Sequence, residues 1–168
     1  KEALHKAIRS LEIGRYGLGF ASNFHELSLE ELLKKLVEPT SERQFLLYEA
    51  LRKGADLEEL YRLTGIKVWF LQQMKELVEL EEEILKYKGK DLPEDLLLQA
   101  KKDGFADRYL ARLLDVSEKQ IREKRMAIGI LQGYEAIPVS GVENAAYYYS
   151  TYHSKDKVET STRKKVMV

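Results

Sequence analysis

The sequence predicts an all-α protein, an irregular bundle of about seven helices, and three observations carry that prediction. Twenty-six leucines, 21 glutamates and 18 lysines stand against 22 Val, Ile and Thr residues combined. Straight-chain side chains lose little rotamer freedom in a helix, so this balance favours helix over sheet. Helix starts recur as Ser or Asp followed three residues later by Glu or Gln, and Gly54, Gly65, Gly89 and Gly104 stand where helical segments should stop.

Leu4, Ile8 and Leu11 mark a short amphipathic helix over residues 2–12. The glycine-rich stretch Gly14 to Gly19 behind it reads as a linker. Ser28 with Glu31 opens a helix running to about Val37, which Pro39 ends. Ser41 with Gln44, Asp56 with Glu59 and Ser117 with Gln120 open further helices. The expected spans are 29–37, 42–53, 57–64, 67–87, 93–103, 107–114 and 118–128. Gly129, Gly133, Pro138 and Gly141 then break any helix, and the segment reads as extended coil leading to Ala145 through Tyr152. Residues His153 to Val168 form a polar connector, net +3, closing on an apolar stub that looks like the start of a strand.

At an offset of 50 residues, seven identities fall between 46–71 and 96–121, among them Leu46 with Leu96, Gly54 with Gly104 and Leu60 with Leu110. They sit mostly at apolar and glycine positions, so shared helix architecture explains them nearly as well as an internal repeat does.

A chain of 168 residues with 28 basic and 28 acidic side chains carries no net charge and can bury a core without staples. It has no cysteine, which removes thiol catalysis, cysteine zinc sites and a disulfide scaffold, and points to a reducing, cytoplasmic home. The longest apolar run, Ala145 to Tyr149, has five residues, far short of the roughly 20 that a membrane span needs. No signal peptide opens the chain; without an initial Met and with its apolar stub, it reads as a piece of a longer protein.

No catalytic, cofactor-binding or metal-binding residue emerges. His5, His25 and His153 lie 20 and 128 residues apart, at no metal-ligand spacing. Glu81, Glu82 and Glu83 point about 100° apart on a helix and cannot converge on one ion, so they read as a solvated face. Gly17 and Gly19 lack the third glycine of a dinucleotide fingerprint, since position 22 is Ser22. There is no phosphate loop and no nucleophile elbow.

Leu110, Ala111, Val116, Ser117 and Ile121 have the apolar spacing of a helix-turn-helix, which makes a DNA-binding module the alternative function. Tyr61 in the earlier copy, and Asp115 and Lys124 in the later one, break that pattern. The second helix carries only a net +2 in a neutral protein, without the basic face that phosphate neutralisation demands, so nucleic acid is not an expected partner. Trp69 and Phe70 read as core or interface, with core favoured. Tyr147, Tyr148, Tyr149 and Tyr152, with no basic residues interleaved, read as packing or interface aromatics.

Taken in order, four stretches resemble the helical oligomerisation domain of the carbamoyl-phosphate synthase large subunit. Residues Glu2 to Glu12 look like the last helix of that subunit's first ATP-grasp unit. Leu63 to Leu71, with Leu77 to Glu81, looks like the central helix-turn-helix. Lys101 to Asp107, with Leu110, Ala111 and Ile121 to Arg125, is similar to the next helical pair. Tyr149 to Tyr152 and Arg163 to Val168 resemble the passage into the second ATP-grasp unit. The chain departs from the family at Ile137 to Asn144, where an Asp-Thr followed closely by Ala-Ala-Glu-Phe is usual.

The resemblance implies residues 1–20 as the tail of the first ATP-grasp unit, 21–152 as the oligomerisation domain, and 153–168 as the linker and first strand of the second unit. It implies a non-catalytic scaffold, with weak self-association through an apolar helical face. The parent enzyme would make carbamoyl phosphate, for arginine and pyrimidine synthesis, from bicarbonate, two ATP and ammonia that a small glutaminase subunit draws from glutamine. ATP, Mg²⁺ and K⁺ would bind the flanking units, with no cofactor held by this chain.

Overall fold

The computed structural model describes residues 1–137, 147–158, 161–164 and 166. Among them are eight α-helices: α1 (Glu2–Ser10), α2 (Leu29–Leu36), α3 (Arg43–Arg52), α4 (Leu57–Thr64), α5 (Val68–Leu85), α6 (Glu94–Lys102), α7 (Asp107–Leu114) and α8 (Glu118–Ala127). A single 3-10 turn, Phe24–Glu26, precedes α2. A small antiparallel hairpin, β1 (Gly133–Ile137) and β2 (Tyr147–Thr151), follows α8 with Gly133 opposite Thr151 and Ile137 opposite Tyr147.

The helix starts follow local chemistry. Ser28 and Glu31 close a full capping box, as do Ser117 and Gln120, and Asp56 accepts the Glu59 amide at 3.0 Å. The box expected at Ser41 and Gln44 does not form. A capping residue needs extended backbone, whereas the chain enters α3 through a turn in which Glu42 is already helical and the Arg43 amide reaches back to Thr40.

Around α3 the core closes from every side: Phe45 through Leu51 are consecutively buried, as suits a central helix. Packed on it are α2 and α5, with α4 against α5 and α7 against α8. Leu32 and Leu36 of α2, Leu71, Leu77 and Ile84 of α5, and Leu97 and Leu110 of the later helices are fully enclosed.

Two expectations change. The stretch after α8 is extended as expected, but it pairs into a hairpin rather than remaining coil, and strand pairing depends on distant partners that local pattern does not report. Gly14 to Gly19 is no free connector, since Gly17, Leu18 and Gly19 are buried. Within the stretch 1–20, His5, Ile8 and Leu18 belong to the enclosed interior. The divergent segment lies outside the described residues from Pro138 to Ala146, as do Met167 and Val168 of the expected terminal strand; Ile137 closes β1, and Val166 is exposed.

Candidate functional site

Two buried ionic clusters and one exposed apolar groove stand out. The first cluster joins α3, α5 and α7. Glu81, with no exposed surface, accepts hydrogen bonds from the Tyr48 hydroxyl at 2.9 Å, the Tyr109 hydroxyl at 2.8 Å and the Arg52 guanidinium at 2.5 Å. The same guanidinium reaches Glu82 and lies 3.3 Å from the equally buried Glu49. Burial pushes the Glu81 carboxyl above its ordinary pKa despite Arg52 and the tyrosines. Burial, then the neighbouring Glu81 charge, holds both tyrosine hydroxyls well above theirs. The expected solvated face is therefore wrong at Glu81, though Glu82 is exposed and Glu83 half-exposed. A triple-glutamate run cannot signal which member meets an arginine 29 residues away.

This cluster holds the glycine-rich stretch. The Phe20 amide donates to Glu49 at 3.3 Å. A Cβ on Gly17 would lie 2.5 Å from the Tyr109 ring, and one on Gly19 would meet Glu81, with the Tyr109 hydroxyl 2.7 Å away. These glycines serve close approach of backbone to side chain, not dinucleotide binding.

The second cluster joins α6, α7 and α8. The buried Lys101 ammonium donates to Asp107 at 2.6 Å and to the Phe105 carbonyl at 2.7 Å, while Arg125 donates to the other Asp107 oxygen at 2.8 Å and to the Ile130 carbonyl at 3.2 Å. Burial lowers the Lys101 pKa more than Asp107 restores it. At Asp107 burial acts upward, but the Lys101 bond and charge, followed by Arg125, hold the carboxyl below its ordinary range.

Beside this cluster the turn after α6 anchors both arms of the chain. His5 Nδ1 donates to the Asp103 carbonyl at 2.9 Å, its ring edge-on to Phe105, and Arg9 donates to the Gly104 carbonyl at 2.6 Å. From the other arm, the His153 ring nitrogen meets the Lys102 carbonyl at 3.0 Å, and Tyr152 lies against Lys101 and Arg125 at 4.9 and 5.8 Å. The arms also touch: Thr151 donates to Glu2 at 2.9 Å, and Lys6 sits 3.7 Å from the Tyr149 ring centroid while bonding the Ser150 carbonyl. Basic residues absent from the tyrosine run in sequence thus meet it in space.

Trp69 and Phe70, expected chiefly in the core, are 65% and 56% exposed, their rings edge-on at 4.9 Å. They project from the first turn of α5 into a groove of about 410 Å³ walled by Lys1, Leu4, Ile66, Met74 and Leu77. Tyr147 and Tyr148 are also exposed, at the far end of the hairpin, whereas Tyr149 and Tyr152 are half-buried. The six aromatics therefore do not form one surface.

The α7–α8 pair closes tightly, with Ala111 buried and Asp115 in the left-handed conformation at the turn. The basic side chains of α8 are engaged: Lys119 with Glu123, Arg122 with Glu118, Lys124 with Asp91 and Arg125 with Asp107. Among the described residues no three His, Asp or Glu side chains converge as metal ligands, and no helix is long and apolar enough to cross a membrane.

Buried charge that ties segments together, beside an apolar groove left open, is the build of a helical packing domain. The family model for the carbamoyl-phosphate synthetase large chain, oligomerisation domain, matches residues 1–129. The carbamoyl phosphate synthase large chain of Archaeoglobus fulgidus is 39% identical over 175 residues, covering 100% of this chain and 16% of that protein. That of Clostridium botulinum (strain Loch Maree / Type A3) is 39% identical over 169 residues, covering 99% and 16%. The large chain's N-terminal section in Methanopyrus kandleri is 38% identical over 170 residues, covering 92% and 30%. The chain belongs to the carbamoyl-phosphate synthetase large-chain oligomerisation-domain family, and it spans 16 to 30% of the length of these relatives.

Proposed function

We propose that this chain is a non-catalytic scaffold: it joins two ATP-grasp synthetase units of a carbamoyl-phosphate synthase large chain and supplies a surface for weak self-association. The observation that carries the reading is the shared anchorage at the turn after α6, where the arm beginning at Lys1 and the arm ending past His153 meet. A domain that ties its two arms at one corner sets its neighbours side by side instead of spacing them apart.

In this reading the parent is a cytoplasmic ligase that makes carbamoyl phosphate from bicarbonate, two ATP and glutamine-derived ammonia, feeding arginine and pyrimidine synthesis, with a small glutaminase subunit as partner. ATP, Mg²⁺ and K⁺ belong to the flanking units. Pairing of the buried carboxylates Glu49, Glu81 and Asp107 with Arg52, Tyr48, Tyr109, Lys101 and Arg125 supports that division. Its steps are mechanical: hold, orient and associate. Domain limits at 1–20, 21–152 and 153–168 fit this role, with the first arm packed into the scaffold it serves.

Self-association is assigned to the surface beside the C-terminal end of α2, where Val37 is 61% exposed and the half-buried Phe24 and Leu27 line a shallow groove next to Lys35. Transient contacts of this kind bury less than about 1,200 Å² in total. Light scattering over a concentration series tests it. The average mass should rise with concentration, and Val37→Glu should suppress the rise; a strictly monomeric chain at millimolar concentration would leave only covalent linkage as its role.

A further inference from the structure

We propose that the cavity at the corner where the two arms meet binds a small tetrahedral oxyanion, a phosphate group held by Arg9, Lys101 and Arg125.

The cavity, of about 210 Å³, is walled by α1, the turn after α6, the start of α7, α8 and Tyr152 beyond β2. Two of its acids are matched one to one, Glu2 by Lys6 at 2.9 Å and Glu118 by Arg122 at 3.5 Å. The third, Asp107, faces two cations, Lys101 at 2.6 Å and Arg125 at 2.8 Å. Arg9 donates to the Gly104 carbonyl at 2.6 Å and forms no ion pair among the described residues. Positive charge is therefore in surplus on this wall, at Arg9 and at one of the two cations on Asp107. Burial lowers the Lys101 pKa first, and the Arg125 and Arg9 charges lower it further, so the three cations feel one another across the cavity. An anion placed among them relieves that repulsion.

The donors suit a tetrahedral ion. Guanidinium forks match phosphate oxygens, and an ammonium adds a point charge from another direction. Here they arrive from three elements, Arg9 from α1, Lys101 from α6 and Arg125 from α8. Ala106, the N-cap of α7, also lines the cavity and gives no side-chain cap, which leaves first-turn amides open towards a negative charge. Because the wall belongs to an arm as well as to the body, a ligand that binds only the closed corner also stabilises the fold.

Calorimetry on this chain with two probes, inorganic phosphate and glycerol phosphate, tests the site, with sodium chloride balancing ionic strength so that screening stays constant. Saturable binding with a dissociation constant of about 1 mM is expected, and the melting temperature should rise by about 3 to 6 °C at about ten times that concentration. Tighter binding of inorganic phosphate assigns the free ion; tighter binding of the ester assigns the end of a phosphorylated small molecule. Arg9→Gln should weaken binding about tenfold, and Arg9→Lys, which keeps the charge, should weaken it less.

Ala106→Asp keeps the readout independent of any folding defect, since Asp is a favoured N-cap at this extended position. It sets a carboxylate at the cavity wall, so the variant should melt higher in chloride yet lose the phosphate response. Absence of saturable heat with both probes would overturn the proposal. So would a melting temperature that climbs linearly with phosphate and equally in Arg9→Gln and Ala106→Asp, the mark of general salt exclusion from the surface.

Discussion

The segments α3–α5 and α6–α8 share turn geometry fifty residues apart, yet they differ in the length of their last helix, in what they bury and in what they hold. α4 and α7 have corresponding bounds, Leu57–Thr64 and Asp107–Leu114, and α5 and α8 start at Val68 and Glu118. The amides of Ala55 and Phe105 reach back to Ala50 and Ala100, each at 2.9 Å, and the turn residues Gly65 and Asp115 are both left-handed, with φ of 72° and 59°. The polar contents diverge. The first unit buries Glu49 and Glu81 around Arg52 and so fastens the glycine stretch. The second buries Lys101 and Asp107, and its turn grips both arms of the chain. Local turn chemistry recurs in the two segments, whereas side chains at noncorresponding positions decide which neighbour each turn binds.

The largest expected effect tests the first unit's buried charge. Glu81→Ala leaves two buried tyrosine hydroxyls and part of the Arg52 guanidinium without their acceptor, and should cost about 3 to 5 kcal/mol in urea unfolding. Lys101→Ala should cost less, because Arg125 still pairs with Asp107; equal losses would erase the contrast.

Acid should act through the second unit. The folded His5 ring has a pKa of about 4 against an ordinary 6.5, so the fold holds it neutral and protonation opposes folding. This penalty is absent above pH 6.5, grows as pH falls towards 4 and then levels off, reaching about 3 kcal/mol by linkage. His5→Asn should flatten that part of a stability-against-pH curve, and an unchanged slope would place the acid sensitivity elsewhere.

The glycines that close α3 and α6 sharpen the comparison further. Gly54 and Gly104 both have positive φ, 83° and 94°. Alanine at either should cost about 1 to 2 kcal/mol from backbone strain alone. Only at Gly104 would the new Cβ meet other chain, 2.9 Å from the Glu2 backbone, whereas Gly54 faces open space. Thermal melts should show Gly104→Ala as the more damaging by about 1 to 3 kcal/mol. The smallest effect belongs to Trp69→Ala, which should change stability by no more than about 0.5 kcal/mol because the ring is exposed.

The helical frame was legible because its signals are local. Ser28 with Glu31 and Ser117 with Gln120 act within one turn, and Gly54 and Gly104 close helices where they stand. The clusters were not legible, since Arg52 and Glu81 are 29 residues apart and Lys101 looks in sequence like any lysine on a helix end. Trp69 and Phe70 misled by composition: large apolar rings favour interiors, but at the first turn of α5 they stand beyond the buried Leu71 and Met74. The family resemblance supplied what periodicity could not, the notion of a domain made to be docked against.

The turn after α6 ties both arms of the chain at one corner. Spin labels at Glu2→Cys and Ser154→Cys, with the separation read by electron-electron double resonance, test it directly. The distribution should be narrow and well under about 30 Å, the diameter of a small domain, broadening when Gly104→Ala forces α1 off the turn. A separation at or beyond that diameter in the unaltered background would contradict it.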